Sequence, residues 1–499
     1  MSEQRSAPLA PDLLRVRAEN NPSTVPILVD GAPGLSFRDW DARSSAVAHG
    51  LLAQGVRRGD RVALFFSGMD WIDYAVAYLA VLKAGATAVH LNDELPGEEL
   101  RRRWEQVEPV GVLHGVGGVP VRDVAAWTVP ALDTAVASTP DVVIGPDDIA
   151  DVLYTSGTTG PAKPFLNPHG NLAFGRGLGE VAKASFDAGS PLLMPMALGT
   201  AESAGTVGIF ALTTTAPLVV CPPEDVERIG QLIEELKIGS VMLRPWLASR
   251  MAAAGVGDRY DLSTITTVGI ASGALPAALA RQVYAMAPNT RIMTAYGGGS
   301  EAVPANVRAI YDPQRPTCMG RPSPGTEVLV VDEQDRPVEA GVVGELWMRT
   351  AAPRRRYLDP AMDEQIHVDG WVRTRDLGRV NSDGEVFFFD RGSDAIRTPA
   401  GPVSSLEVEA ILYEHPAVRQ AAVVGVAGPD GTVIHAVVVF DPAERRPDVR
   451  AFAGDRLPPH AVPAVGHAVD ALPRGSSGKV LKAQLREQLS QVAASAPVA

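Results

Sequence analysis

Apolar and polar residues follow two periodicities along the first part of this chain. Residues 61–66, 216–221 and 239–243 are short apolar runs of the kind that form buried strands, and they alternate with helical patterns such as residues 71–84 and 224–236. Apolar runs that alternate with amphipathic segments indicate βαβ units. The pattern therefore predicts an α/β fold with mainly parallel sheets.

The periodicity changes after about residue 325. Residues 327–332, 344–349 and 385–390 are strand-like runs separated by short polar turns. Strands joined by tight turns favour antiparallel pairing. We expect a smaller antiparallel, β-barrel-like subdomain here, still within the large N-terminal part of the chain.

A third pattern follows residue 391. Residues 405–415 are helical in pattern, and Ser404 with Glu407 gives this helix a capping-box start. Two apolar strands and a lysine-bearing tail complete the segment. The sequence therefore predicts two domains, a large N-terminal domain at residues 1–390 with several subdomains and a small, mobile α+β C-terminal domain at residues 391–499.

Net charge, cysteine content and the absence of leader-like or membrane-spanning patterns limit the kinds of partner and the cellular location that we expect for this protein. The 499 residues carry a net charge of −13, which argues against nucleic acid as a partner. Two cysteines, no apolar leader at the N-terminus and no convincing membrane span lead us to expect a cytoplasmic protein. The basic runs 101–103 and 354–356 are expected to be solvated faces, with a contact to coenzyme A phosphates as the lesser alternative for the second.

The segment 154–163, Tyr-Thr-Ser-Gly-Thr-Thr-Gly-Pro-Ala-Lys, has the composition of a phosphate-binding loop. Its hydroxyl groups can bond to an anion, and its glycines allow close approach of backbone N–H groups. The spacing differs from a Walker A loop, because Lys163 is followed by Pro164 rather than by Ser or Thr. The sequence thus predicts an anion site and disfavours the mononucleotide P-loop fold.

This loop resembles that of the AMP-forming adenylating enzymes, which include acyl-CoA synthetases, peptide-synthetase adenylation domains and luciferases. Other matches to that family run in the same order from residues 35–37, through 82–86, to 477–479. The resemblance is strongest to acyl- or aryl-CoA ligases and implies binding of ATP and Mg²⁺. It also implies that the ATP phosphates are contacted by Thr155, Ser156, Gly157, Thr158, Thr159 and Lys163. Thr155 would in addition bind the metal.

A glycine-rich segment, residues 295–301, resembles the family pattern aromatic-Gly-x-Thr-Glu. The resemblance places Tyr296 beside adenine, Ser300 at the α-phosphate and Glu301 at Mg²⁺, where a hard cation needs carboxylate oxygen. The spacing from Tyr296 to Glu301 is one residue longer than usual. A weaker match at residues 271–276 would place Gly273 beside adenine.

Three further residues take roles from the same resemblance. Asp376 would accept hydrogen bonds from the ribose hydroxyls, although Arg375 stands where the family has glycine. Arg391 would contact ribose or phosphates. Lys479 would bridge the substrate carboxylate and the α-phosphate, which makes it a catalytic candidate together with Glu301 and Thr155.

The thiol side departs from the family pattern. Ser393 occupies the hinge position, which is usually Asp or Lys, and Ala400 replaces a glycine that lines the thiol tunnel beside Gly401. Coenzyme A is the expected acceptor. One alternative is an enzyme that thiolates poorly and passes acyl-AMP to a partner or the acyl group to a carrier-protein phosphopantetheine. Two further alternatives are a non-catalytic nucleotide-binding relative and a light-emitting oxygenase.

The acyl pocket is expected around Leu198, Gly199 and the glycines Gly297, Gly298 and Gly299. Small and aliphatic residues leave volume and favour apolar ligands. The substrate hypothesis is a bulky, mostly hydrophobic carboxylic acid, either polycyclic or aryl. The sequence leaves the acid itself and the oligomeric state open.

Overall fold

The computed structural model describes residues 8–115, 117–119, 124–155, 161–183, 187, 189–270, 275–297, 300–428, 431–474 and 480–495. Within these ranges, helices that are long enough and apolar enough to cross a membrane are absent.

The strands are numbered in chain order. They are β1 (Ile27–Val29), β2 (Ala32–Pro33), β3 (Arg61–Phe66), β4 (Thr87–Asn92), β5 (Gly111–His114), β6 (Ala125–Trp127), β7 (Ile149–Tyr154), β8 (Pro164–Pro168), β9 (Leu192–Pro195), β10 (Leu218–Cys221), β11 (Ser240–Leu243), β12 (Thr267–Ile270), β13 (Arg291–Tyr296), β14 (Val307–Ile310), β15 (Cys318–Pro322), β16 (Thr326–Val331), β17 (Gly344–Thr350), β18 (Arg356–Tyr357), β19 (His367–Val368), β20 (Trp371–Val380), β21 (Val386–Arg391), β22 (Ile396–Thr398), β23 (Gly401–Val403), β24 (Val418–Gly428), β25 (Gly431–Phe440) and β26 (Val465–Ala468).

The helices are numbered in the same way. They are α1 (Ala10–Asn20), α2 (Phe37–Ala53), α3 (Trp71–Lys83), α4 (Gly97–Val107), α5 (Val129–Leu132), α6 (His169–Leu172), α7 (Leu178–Lys183), α8 (Ala201–Gly205), α9 (Ala211–Thr213), α10 (Val226–Leu236), α11 (Pro245–Ala253), α12 (Val256–Arg259), α13 (Ala277–Met286), α14 (Pro360–Ile366), α15 (Ser405–Leu412), α16 (Val449–Gly454) and α17 (Lys482–Ser495). A π-helical turn, Thr206–Phe210, joins α8 to α9.

Two sheets form the large N-terminal part. Strands β1, β10, β9, β11, β12 and β13 pair in parallel in one sheet, and β6, β5, β3, β4 and β7 pair in parallel in the other. Helix α3 is buried on nearly all sides, and its side chains share one core cluster with residues of β3 and β10. A helix that is apolar all round is suited to such a buried layer. The predicted α/β architecture is confirmed.

The predicted antiparallel subdomain is also present. Strands β16, β17, β20, β21 and β15 pair antiparallel, and β14 joins them to the parallel strand β13. The antiparallel strands therefore continue the hydrogen-bonded path of the first sheet.

The C-terminal part has its own layer structure. Strands β24 and β25 form a long antiparallel pair, β26 adds in parallel, and α15 and α16 contribute to a separate apolar cluster. Helix α15 begins at the predicted cap residue, because the Ser404 hydroxyl oxygen accepts a hydrogen bond from the Glu407 N–H at 3.1 Å, which is one of the two bonds of the expected capping box.

Candidate active site

A cleft of about 3610 Å³ is bordered by both parts of the chain. Most of the sequence-predicted site residues that the structure describes lie along it, on different strands and on the segments that connect them. Those that line it are Thr155, Lys163, Gly199, Tyr296, Gly297, Ser300, Glu301, Asp376, Arg391, Ser393 and Gly401.

The remaining candidates fall into two groups. Leu198 is buried behind the cleft wall, where its carbonyl oxygen accepts a hydrogen bond from Asn92 Nδ2 at 2.7 Å, and Ala400 is exposed in a turn. The rest lie outside the described residues: Ser156, Gly157, Thr158, Thr159, Gly273, Gly298, Gly299 and Lys479.

The predicted phosphate loop connects two antiparallel strands. Thr155 follows β7, and Lys163 precedes β8. Their backbones are bonded by Thr155 N–H to Lys163 carbonyl at 3.0 Å, and the Lys163 N–H donates to the Thr155 hydroxyl oxygen at 3.0 Å. The two ends of the loop are thereby held together at the cleft wall.

The expectation that residues 101–103 form only a solvated face is wrong for Arg103. Its side chain is buried, its guanidinium carbon lies 4.4 Å from the centre of the Tyr154 ring, and its Nε donates to Glu99 at 2.8 Å. Arg102 donates to the Ala162 carbonyl oxygen at 2.9 Å. These arginines of α4 therefore support the two flanks of the phosphate loop.

The nucleoside side of the cleft centres on Asp376. Tyr296 Oη donates to Asp376 Oδ2 at 2.9 Å, and Arg391 Nε lies 4.0 Å from Asp376 Oδ1. Burial and the neighbouring Asp376 carboxylate raise the pKa of Tyr296 well above its usual value, so the phenol stays protonated and donates. One carboxylate oxygen of Asp376 is thus held by Tyr296 and the other faces Arg391.

Arg375 keeps a backbone conformation that normally favours glycine. Its φ is +58°, in the left-handed region, and its carbonyl oxygen accepts a hydrogen bond from the Gly392 N–H at 2.9 Å. The Asp376 N–H donates to the Thr374 hydroxyl oxygen at 3.1 Å. Arginine at position 375 therefore leaves Asp376 in the cleft, at the cost of local strain.

Gly199 is a glycine for two physical reasons. Its φ is +71°, and a Cβ atom there would lie 2.1 Å from the Leu91 carbonyl oxygen. The end of β4 therefore packs directly on the segment that forms this wall of the cleft.

The thiol-side loop is a hairpin between β22 and β23. Thr398 pairs with Gly401, and residues 399 and 400 form the turn. The positive φ, +123°, falls on Gly401 rather than on Ala400. The alanine in place of the family's glycine therefore needs no left-handed backbone in this hairpin.

A buried ionic cluster joins the end of β21 to the C-terminal part. Asp390 Oδ2 accepts hydrogen bonds from the backbone N–H and hydroxyl of Ser405 at 2.6 and 2.7 Å, and Lys482 Nζ lies 2.6 Å from both Ser405 Oγ and Glu409 Oε1. Burial lowers the pKa of Lys482, but the Glu409 and Asp390 carboxylates outweigh it, so the pKa is raised and the ammonium stays charged.

Glu301 and Thr155 are a suitable oxygen donor set for Mg²⁺. Both line the same cleft, the Glu301 carboxylate is held by a hydrogen bond from Tyr357 Oη, and one lone pair of the Thr155 hydroxyl oxygen accepts from Lys163 N–H. Mg²⁺ prefers such oxygen ligands and keeps several waters. The residues present therefore fit the metal that the resemblance implies.

Comparisons with known proteins agree with this arrangement. Residues 14–358 match the family described as AMP-binding enzyme, and residues 407–479 match the AMP-binding enzyme C-terminal domain. The chain belongs to the AMP-binding enzyme family. AMP-binding enzymes of this kind form acyl-adenylates, and the curated relatives include ligases that use coenzyme A or an acyl carrier protein.

Two curated relatives and one solved structure illustrate the range. The chain is 30% identical to phosphinothricin tripeptide synthetase PhsC of Streptomyces viridochromogenes over 92% of its own length but only 43% of that protein's length. It is 28% identical to a 3-[(3aS,4S,7aS)-7a-methyl-1,5-dioxo-octahydro-1H-inden-4-yl]propanoyl:CoA ligase of Rhodococcus jostii, with coverage of 98% and 100%. The fold matches amide bond synthetase McbA of Marinactinospora thermotolerans with a TM-score of 0.80, 24% identity and coverage of 96% and 99%.

Proposed function

We propose that this AMP-binding enzyme condenses a carboxylic acid with ATP to give acyl-AMP and pyrophosphate, and then transfers the acyl group to the thiol of coenzyme A. The observation that carries the proposal is the convergence of Thr155, Glu301, Asp376 and Arg391 on one cleft. These four residues come from distant parts of the chain, and each has the chemistry that one portion of an ATP molecule requires.

In the first step, a carboxylate oxygen of the substrate attacks the α-phosphorus, and the bond to the bridging oxygen of pyrophosphate breaks. Asp376 orients the ribose hydroxyls, and Lys479 places positive charge between the carboxylate and the α-phosphate. Mg²⁺, held by Glu301 and Thr155, would neutralise phosphate charge. Catalysis of this kind is positioning combined with electrostatic stabilisation.

In the second step, the thiolate of coenzyme A attacks the acyl carbon and AMP leaves with the bonding electrons. We propose that residues 1–390 and 391–499 act as two domains, and that the second reorients about residues 390–393 between the steps. The separate apolar clusters support this boundary, because the two clusters of the C-terminal part contain only residues from 396 onward.

For the acid, we propose a bulky, mostly hydrophobic molecule with an aryl or fused-ring body. Apolar side chains such as Ile209, Phe210 and Trp246 line the cleft, and the curated relative from Rhodococcus jostii is named for a two-ring propanoyl group. A strict preference for acetate or propionate contradicts this part of the proposal.

A second candidate function changes only the acceptor. Ser393 and Ala400 both depart from the family pattern on the thiol side, and similar proteins include an amide bond synthetase and a peptide synthetase. In that case acyl-AMP forms in the same way, and an amine or a carrier-protein thiol takes the acyl group.

The experiment is mass spectrometry of the products made by purified protein from ATP, Mg²⁺ and a panel of bulky acids, with coenzyme A present or absent. We expect acyl-AMP without coenzyme A and acyl-CoA plus AMP with it. Lys479→Ala is the catalytic control, and a paired reaction with amines tests the second candidate. If acyl-AMP accumulates although coenzyme A is present, the acyl group is transferred to a different acceptor.

A further inference from the structure

The basic run Arg354, Arg355 and Arg356 does not form one solvated face. Arg354 and Arg356 are exposed, whereas Arg355 is partly buried and lines the cleft. Arg356 and Tyr357 form the short strand β18, which pairs with β8. Alternation of side chains along the extended backbone turns the middle arginine inward. The expectation of solvation is therefore wrong for Arg355.

Arg355 holds the backbone immediately before Glu301. Its Nη1 donates to the Ser300 carbonyl oxygen at 2.9 Å, and its Nε donates to Asn167 Oδ1 and Asn171 Oδ1, each at 3.1 Å. A planar guanidinium can serve these partners at once because its N–H groups have fixed directions.

Asn171 holds the other side of the same short segment. Its Nδ2 donates to the Val303 carbonyl oxygen at 2.8 Å and to the Pro353 carbonyl oxygen at 2.8 Å. Tyr357, two residues after Arg355, donates from its hydroxyl to the Glu301 carboxylate. The segment 300–303 is therefore fixed at both ends, and its only carboxylate is fixed separately.

The anchor of this arrangement lies in the core. Asn167 Nδ2 donates to Asp151 Oδ2 at 3.0 Å, and His90 Nε2 lies 3.2 Å from Asp151 Oδ1, with all three side chains buried. Loss of hydration lowers the pKa of Arg355 to about 10, which still leaves the guanidinium charged at neutral pH. Arg355 thus connects a rigid, buried polar network to a segment at the cleft surface.

We propose that Arg355 is a positioning residue that fixes segment 300–303 and thereby aims the Glu301 carboxylate at the metal-nucleotide complex. The inference rests on the proposed function, in which Glu301 binds Mg²⁺. Groups that orient a metal ligand from behind typically change metal affinity or activity by about 10- to 100-fold when they are removed. Arg355→Gln should therefore weaken the binding of nucleotide with Mg²⁺ by that factor.

The test is calorimetric titration with α,β-methylene ATP, once with Mg²⁺ and once in EDTA. For Arg355→Gln we expect weaker binding in Mg²⁺ by about 10- to 100-fold and an affinity in EDTA within about twofold of the wild type. Arg356→Gln, an exposed neighbour outside the cleft, should match the wild type in both arms. A separate rate assay should show a higher Mg²⁺ requirement for acyl-AMP formation in Arg355→Gln.

Arg355→Lys guards against a folding defect, because it keeps positive charge beside Asp151 while losing the planar set of donors. It should show a smaller but distinct loss that is also confined to the Mg²⁺ arm. Equal losses with and without Mg²⁺, or Arg355 variants that match Arg356→Gln, overturn the inference. A wild-type protein that binds the analogue identically in both arms would instead refute the metal role in the proposed function, and this inference with it.

Discussion

Removal of the Lys482 ammonium should destabilise the C-terminal part selectively. Lys482 and Glu409 side chains are 9% and 11% exposed and lie 2.6 Å apart, and Glu409 Oε1 also accepts the Val423 N–H at 2.8 Å. Lys482→Met leaves the Glu409 carboxylate buried without its counter-ion. Breaking one side of such a buried pair costs about 3–5 kcal/mol of unfolding free energy.

A double variant separates this cost from simple loss of packing. Lys482→Met with Glu409→Gln removes both charges, and the glutamine oxygen can still accept from Val423. The double variant should recover part of the loss, because residue 409 no longer carries a buried charge, whereas the Asp390 carboxylate keeps its Ser405 donors but still lacks the Lys482 ammonium.

The assay exploits the distribution of tryptophan. All seven tryptophans precede residue 390, so their fluorescence reports on the large part of the chain. Native-state hydrogen exchange of the β24 amides reports on the C-terminal part. The reasoning is refuted if hydrogen exchange of the β24 amides gives Lys482→Met an unfolding free energy within about 1 kcal/mol of the wild type. It is also refuted if the double variant loses as much unfolding free energy as Lys482→Met and Glu409→Gln lose separately, added together.

Three further predictions concern single side chains. Burial lowers the pKa of His169 to about 4, so between about pH 6.5 and 4 the unfolded chain binds a proton that the folded chain does not bind. The free energy of unfolding should therefore fall by about 3 kcal/mol as the pH drops from about 6.5 to about 4. His169→Gln should remove that part of the pH slope in denaturant titrations, and an unchanged slope contradicts the assignment. Arg375→Gly should raise the unfolding free energy by up to about 1 kcal/mol because glycine adopts the positive φ without strain, whereas Arg375→Ala should not raise it. A lower unfolding free energy in the glycine variant would contradict the strain argument. Asp376→Ala should raise the Kd for ATP by about 10- to 100-fold because it removes charged acceptors, with the exposed Asp383→Ala as control; equal Kd values in the two variants would contradict the ribose role.

Much of the fold follows from periodicity alone. Residues 71–84 were predicted as a helix and form α3, Trp71–Lys83, because an unbroken apolar stretch of that length suits a helix buried between layers. Strand β8 carries Pro164 and Pro168 at its ends and was not predicted from the pattern. It pairs antiparallel with β7, and strand pairing of this kind depends on neighbours and burial more than on local propensity.

The position of a residue on the cleft was predictable where the residue belongs to a compact motif, as at Glu301 and Asp376, whose proposed roles stay predictions. It was not predictable where a charged side chain is buried by partners from elsewhere in the chain. Arg355 meets Asn167 and the Ser300 carbonyl group only after folding, so its surface-like sequence context is misleading. For Arg103, the spacing from Glu99 was a usable signal, because residues four apart share a helix face.

The central claim is that this chain forms acyl-adenylates, and acid-dependent exchange of labelled pyrophosphate into ATP tests it most directly. The exchange reverses the first step alone and needs no coenzyme A. The account predicts that label enters ATP only when a bulky carboxylic acid is present, and that Lys479→Ala lowers the exchange by about 10²–10³-fold while it still binds ATP. Tight ATP binding with no exchange for any acid on the panel would contradict the account and would indicate a nucleotide-binding protein without this catalysis.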